Sequence, residues 1–454
     1  MRKIFFIAFA IIFYAASSIL FIGCKDDGSD GFSTGNISEI DWDKIMSLPY
    51  SSLTPDEQKL KLEKECIDFI DTLDDLTSLK SIETLQYLTD LFEQDDPDLY
   101  IGKSVNKTKE VFEISNVYGI FTWNSSRREW SKTSSSSELK FIFPATKKAS
   151  SNNATLSLNA VNSGITVTDK WEYYDYDTGK YTTYEEVYHL PKSVDAILTI
   201  DNKEAAKITV TADYNNNNEI PVKQETTISS EGYTYWYKIE RGNTNKVSMK
   251  ISHNNKTLIE ALLKSDIKID DIIDNDFDYE YDYSLLKEAD AFIRILDNLM
   301  LVYRVDLAKY VKEMDKIEDD HWNKMDALWS GNWYNNPNYY SLIGQYEKEY
   351  YDKSAKAFND YMKVALVSNT ENYKIADVIV KSEKDGEYWD YYYWNGTYWD
   401  WDYSNGYNKM YDYYWTNPYL KFNDKTEVEL FLYFSEGFNK LEKSFEDFIN
   451  SFNW

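Results

Sequence analysis

Between residues 117 and 263 apolar and polar side chains alternate with a period of two, a pattern that a helix cannot sort onto one face. Segments 120–123, 138–143, 154–160, 165–174, 194–200, 206–214, 222–229, 233–240 and 246–252 read as strands. Clusters of Asn, Gly and Ser separate them at the spacing of an antiparallel meander. Lys207-Ile208-Thr209-Val210-Thr211 and Val247-Ser248-Met249-Lys250-Ile251 carry the alternation of a sheet that is apolar on one side. The apolar face needs a cover, and helices are the expected source.

Helical periodicity occurs on both sides of this region. Thr54-Pro55-Asp56-Glu57 has the form of a capping box with proline at the first helical position, and Leu62, Cys66, Phe69, Leu73 and Leu76 follow at steps of four and three. A shorter amphipathic segment spans 82–92. Over 285–317, Leu285, Ala289, Phe292, Leu296, Leu299, Tyr303, Leu307, Tyr310, Met314 and Ile317 predict one long helix lying on the sheet. Another is expected over 342–365, and Phe434, Phe438, Leu441, Phe445, Phe448 and Phe452 mark a C-terminal stripe. The fold class expected is α+β: an antiparallel β-meander, an open sheet or partial barrel, flanked by N-terminal, central and C-terminal amphipathic helices. The organisation expected is a signal peptide at 1–23, a tether at 24–40, a helical segment at 41–110 and a sheet domain at 111–265. A second helical segment at 266–370, an aromatic-rich meander at 371–425 and a C-terminal helix at 426–454 complete it.

Composition excludes several functions. The 454 residues carry a formal charge of −28, which opposes nucleic acid and anionic lipid surfaces as partners. Three histidines, His189, His253 and His321, are too scattered for a zinc site. Asp274 to Asp282 alternate acids like the opening of a calcium loop, but Tyr279 and Leu285 stand where an EF-hand needs Gly and Glu. No nucleophile elbow, His-Glu-x-x-His or phosphate-cradling loop is present, so no cofactor, metal or catalytic residue is expected. Of the two cysteines, Cys66 falls on an apolar helical stripe and reads as a small core residue.

Cys24 belongs to the N-terminal region. Arg2 and Lys3 precede an apolar run over 4–22, the form of a secretory signal, and Gly23-Cys24 follows it. The run is long enough for an uncleaved anchor, but a small residue directly before a cysteine favours cleavage there. This leader resembles a bacterial lipobox. Lys25-Asp26-Asp27 then resembles the surface-export signal of Bacteroidetes lipoproteins. The resemblance implies acylation of Cys24, a membrane held through that lipid, and an outer-membrane protein facing the medium.

The other unusual quantity is aromatic content, 17% of the chain with 40 Tyr and 14 Trp, which is foreign to disorder. Its densest stretch is 387–415, where Asn395-Gly396 and Asn405-Gly406 each predict a two-residue turn. Three strands, 388–394, 397–404 and 407–415, follow from those turns, with Trp394 opposite Thr397 and Asp402 opposite Lys409 as an ion pair. One face then holds Tyr392, Trp394, Trp399, Trp401, Tyr403, Met410 and Tyr414, suited to packing on the body. The other sets Tyr391, Tyr393, Tyr398, Asp400, Asp402, Tyr411 and Tyr413 toward water, beside Trp389 and Lys409. Flat rings match the C–H faces of a pyranose and carboxylates accept from its hydroxyls, so these seven residues are the candidate glycan site. A similar pattern over 171–176 and 181–188 predicts a second aromatic hairpin. The expected function is non-catalytic binding of glycan or another envelope partner. The alternatives are an assembly lipoprotein that contacts another protein, and a hydrolase using paired carboxylates.

Overall fold

The computed structural model describes residues 41–74, 79–176, 179–215, 220–267, 286–295, 298–434 and 443. Cys24, Lys25, Asp26 and Asp27, the acidic run 274–282, the side chain of Cys66 and the C-terminal stripe after Phe434 lie outside these residues.

Three helices come first: α1 (Trp42–Met46), α2 (Pro55–Asp74) and α3 (Lys80–Gln94). The capping box forms at the start of α2, where Thr54 N donates to Glu57 Oε2 at 2.9 Å and Glu57 N donates to Thr54 Oγ1 at 3.3 Å. Leu62 and Phe69, seven residues apart on the apolar stripe of α2, are both buried.

Two short hairpins follow, β1 (Gly102–Asn106) with β2 (Lys109–Phe112), and β3 (Gly119–Asn124) with β4 (Glu129–Thr133). β5 (Leu139–Phe143) runs parallel to β3, and a long hairpin of β6 (Ala154–Asp175) and β7 (Lys180–Ile200) starts the meander. β8 (Lys203–Tyr214), β9 (Pro221–Ser230), β10 (Tyr233–Glu240), β11 (Asn245–His253), β12 (Lys256–Ser265), β13 (Glu288–Ile295) and β14 (Leu299–Asp306) each pair antiparallel with the strand before. Helices α4 (Leu307–Ser330) and α5 (Tyr339–Tyr361) interrupt the order, which resumes with β15 (Met362–Ser368) against β14 and β16 (Tyr373–Asp390) against β15. The chain then forms a small sheet of β17 (Tyr392–Trp394) and β18 (Trp399–Trp401), returns along β16 as β19 (Asn408–Lys421), and ends the described fold with β20 (Glu427–Glu429) and α6 (Leu430–Tyr433). The large sheet is rich in antiparallel pairs and does not close, so the molecule is α+β with an open sheet.

One expectation is corrected here. Residues 288–295 and 299–306 are not part of a long helix: they are β13 and β14, paired with Phe292 opposite Val302, and helix begins at Leu307. The end of the helix expected over 342–365 is likewise β15. The cause is burial on both faces. Leu299, Leu301, Val364 and Leu366 pack toward Leu62 and Phe358, while Met300, Val302, Ala365 and Val367 pack toward Trp42. Strands covered on both sides lose alternation and read as continuous apolar runs, which mimic the three-and-four spacing of a helix.

Polar residues on the Trp42 face are paired across strands. Asp290 lies opposite Arg304, whose Nε and Nη2 donate to its two oxygens at 2.6 and 3.1 Å, while Nη1 reaches Asp43 at 2.6 Å. Glu260, buried, is opposite Arg294 and accepts from its guanidinium. A bidentate guanidinium–carboxylate pair satisfies charges that burial would otherwise make costly.

Candidate functional site

The aromatic stretch forms the far end of the β16–β19 ribbon, carried on α5. The ribbon pairs Asp377 with Lys421 at one end and Asp390 with Asn408 at the other, with register shifts at Lys384/Gly386 and Tyr388/Trp389. Beyond it, β17 and β18 pair Trp394 with Trp399 and Tyr393 with Asp400. The loop at Asn395-Gly396 therefore has four residues, not two. Asn395 Oδ1 accepts from Thr397 N and Tyr398 N, both at 3.0 Å, and this side-chain turn replaces the expected tight one.

The second expected turn also differs. Residues 403–405 form a single 3₁₀ turn capped by Asp402, which accepts from Ser404 N at 2.8 Å and from Ser404 Oγ at 2.5 Å. These bonds hold the Asp402 carboxyl below its usual range. The ion pair expected between Asp402 and Lys409 is not made: Lys409 pairs with Glu387 at 2.9 Å and Asp412 at 2.6 Å.

These changes redistribute the two faces. Tyr392, Trp399 and Met410 pack on Tyr340 and Ile343 of α5 and on Met325 and Leu328 of α4. Trp399 Nε1 also donates to Asn336 O at 2.7 Å in the α4–α5 connection. Tyr411, expected at the surface, joins this packed layer beside Gly344. Burial raises its phenol pKa. Trp401 and Tyr403, expected to pack on the body, are instead exposed, at 46% and 66%.

The seven candidate residues are thus not one surface. Tyr391 and Asp402 lie near Trp401 and Tyr403. Tyr393 donates to Asp400 Oδ2 at 3.2 Å, and burial followed by this bond raises its phenol pKa. Tyr398 stacks on Tyr334, centroids 4.7 Å apart and planes at 12°, placing these three on the side of the tip nearest the helix connection. Tyr413 lies across Gly386, where an added Cβ would overlap the phenol.

What the fold assembles is a different group. Half-buried Tyr391 is the hub, its ring centroid 4.3 Å from Tyr403, 4.9 Å from Tyr407 and 6.0 Å from Trp401. Trp389 lies nearly parallel to Tyr407 at 6.3 Å and 16°. Tilted and edge-on contacts around the hub let rings support one another while their outer faces stay in water. Trp389, Trp401, Tyr403 and Tyr407 escaped the sequence-based candidate list. The signal that would have found two of them is Asp402 two places before Ser404, a side-chain turn that swings Trp401 and Tyr403 off the packed face.

The second aromatic hairpin forms as expected over β6 and β7. Trp171 stacks on Tyr184 at 5.8 Å and 13°, and Tyr173 and Tyr181 are exposed. Beside it, Lys109 and Lys170 bind Glu185 at 2.8 and 2.7 Å and draw its carboxyl down to about 2. Among the described residues no group of three or more His, Cys, Asp or Glu converges to hold a metal ion. No family model matches the chain, and no curated protein or solved structure is found to be similar to it.

Proposed function

We propose that this is a non-catalytic surface lipoprotein of the outer membrane, held through acylated Cys24, exported under the signal Lys25-Asp26-Asp27, and binding glycan through the aromatic end of the β16–β19 ribbon. The observation that carries the reading is the ring cluster around Tyr391. Four of its members, Trp389, Trp401, Tyr403 and Tyr407, expose 40% or more of their surface although apolar partners lie within the same molecule. Rings fixed by neighbours lose little entropy when a flat ligand settles on them, which favours binding by stacking. Pyranose rings offer such flat C–H faces, and the hydroxyls around their rim find acceptors in Asp390 and Asp402. In this reading the helices flank the sheet and serve as the support of the ribbon. The negative net charge suits a neutral ligand.

The test is a glycan array probed with the chain from Lys25 onward. Retention of a defined set of neutral glycans, lost in a Trp401→Ala/Tyr403→Ala double variant, supports the proposal. Absence of any retained glycan removes it.

A further inference from the structure

A hollow lies away from the aromatic tip, between the α4–α5 pair and the sheet. Its volume is about 720 Å³, within the range of about 300–1,000 Å³ typical of ligand pockets. Leu301, Val364, Val378 and Val380 supply the sheet side, and Met314 and Phe358 the helix side. None of these six carries a group able to hydrogen-bond a polar ligand through its side chain, apart from the weak acceptor sulfur of Met314; the helix side also presents the hydroxyls of Tyr310, Tyr350 and Ser354, the last already donating to Tyr350 O at 2.8 Å.

The mouth is different. Trp415, 52% exposed, and Tyr351 stand there with ring centroids 5.6 Å apart. Thr416, Asn417 and exposed Asp385 complete the lining on this side. Asp385 is the one carboxylate of the lining, and it forms no ion pair among the described residues. No Lys, Arg or His belongs to the lining. Burial, with the charge of Glu347 and Asp385, raises the phenol pKa of Tyr351. A largely apolar floor beneath a rim that bears one carboxylate and no cationic side chain matches an apolar chain whose head is cationic or uncharged, and it opposes a carboxylate or phosphate head.

We propose that this cavity is a binding site for the aliphatic chain of an amphiphile with a neutral or cationic head group, separate from the glycan surface. The chain lies along Val378 and Val380 under α5, and the head remains at Asp385 and Trp415. Because each buried methylene changes affinity roughly fourfold, occupancy depends on chain length.

The test is isothermal titration of the chain from Lys25 onward with dodecyltrimethylammonium, dodecyldimethylamine oxide and dodecanoate, each below its micelle concentration. None has a sugar, so failure of the glycan reading does not affect the result. The first two are expected to bind one to one, at least tenfold tighter than dodecanoate, and decyl analogues, two methylenes shorter, to bind about sixteenfold more weakly than dodecyl ones. Val380→Trp, or Ser354→Trp from the helix side, fills the space and removes binding. Asp385→Lys, at an exposed position, inverts the preference in favour of dodecanoate. Equal binding of all three heads, many equivalents bound without response to the filling variants, or no binding would overturn the proposal. So would binding only by a chain ended at Phe434, which would assign the hollow to the protein's own tail, or competition with a concentration-dependent dimer.

Discussion

Gly344 in α5 and Tyr411 in β19 approach so closely that a Cβ added to the glycine would lie 2.8 Å from the tyrosine Cβ. A glycine inside a helix costs about 1 kcal/mol relative to alanine, so its presence there is explained by the ribbon rather than by the helix. Gly344→Ala is expected to lose more through overpacking, about 1–3 kcal/mol, than it gains in propensity. Urea unfolding is expected to show a net loss and a change in tip fluorescence. A more stable variant with an unchanged tip would show that β19 yields freely.

Trp399 connects the tip to the helix pair by donating to Asn336 O. Trp399→Phe keeps an aromatic ring in the packed layer and removes the bond, at a cost of about 1 kcal/mol. Hydrogen exchange is expected to rise over 388–411 and to stay unchanged in the meander. Equal protection in both proteins would mean that packing alone fixes the tip.

The paired charges under the sheet predict a larger effect. Asp290→Ala strands the Arg304 guanidinium with Asp43 as its remaining partner, and unfolding is expected to show a loss of about 3 kcal/mol. The Asp290→Leu/Arg304→Met double variant is expected to recover most of it. Similar losses in the single and double variants would show that packing, not the uncompensated charge, sets the cost.

The α4–α5 pair predicts a pH dependence. Lys324 and Lys353 bind Asp320 at 2.8 and 2.6 Å and lower its carboxyl from 3.8 to about 2. Because the folded value is the lower one, the stabilisation is present above pH 3.8 and is lost as pH falls toward 2. The stability gap between the wild-type chain and Asp320→Asn should therefore be constant near neutrality and narrow over that interval. A gap independent of pH would remove the ion pairs as its cause.

The meander from β8 to β11 was legible because its strands keep an alternating sequence, as in Lys207-Ile208-Thr209-Val210-Thr211, whereas segments 154–160 and 165–174, expected as two strands, form the single strand β6, whose run continues through a bulge. The capping box at Thr54 and Glu57 was legible because it is wholly local. The β13–β14 hairpin was not: Phe292 and Val302 pair within a layer enclosed on both sides, so neither strand displays a polar face to betray its period. At the aromatic end, the Asn-Gly pairs marked reversals correctly but not their size. That depended on Asn395 and Asp402 turning back on their own backbone and on bulges at Gly386 and Trp389. Composition thus located the aromatic tip, while register decided that Trp401 and Tyr403 face water and Tyr411 does not.

Separating the rings around Tyr391 from an exposed ring outside that cluster tests the central claim most directly. A glycan retained on the array would be titrated calorimetrically against the wild-type chain, Trp401→Ala/Tyr403→Ala and Tyr413→Ala. The exposed double variant is predicted to weaken binding at least tenfold while its unfolding free energy stays within about 0.5 kcal/mol of wild type, as surface substitutions do. Tyr413→Ala, away from the Tyr391 cluster, is predicted to bind as the wild type does. Undiminished affinity in the double variant would contradict the account.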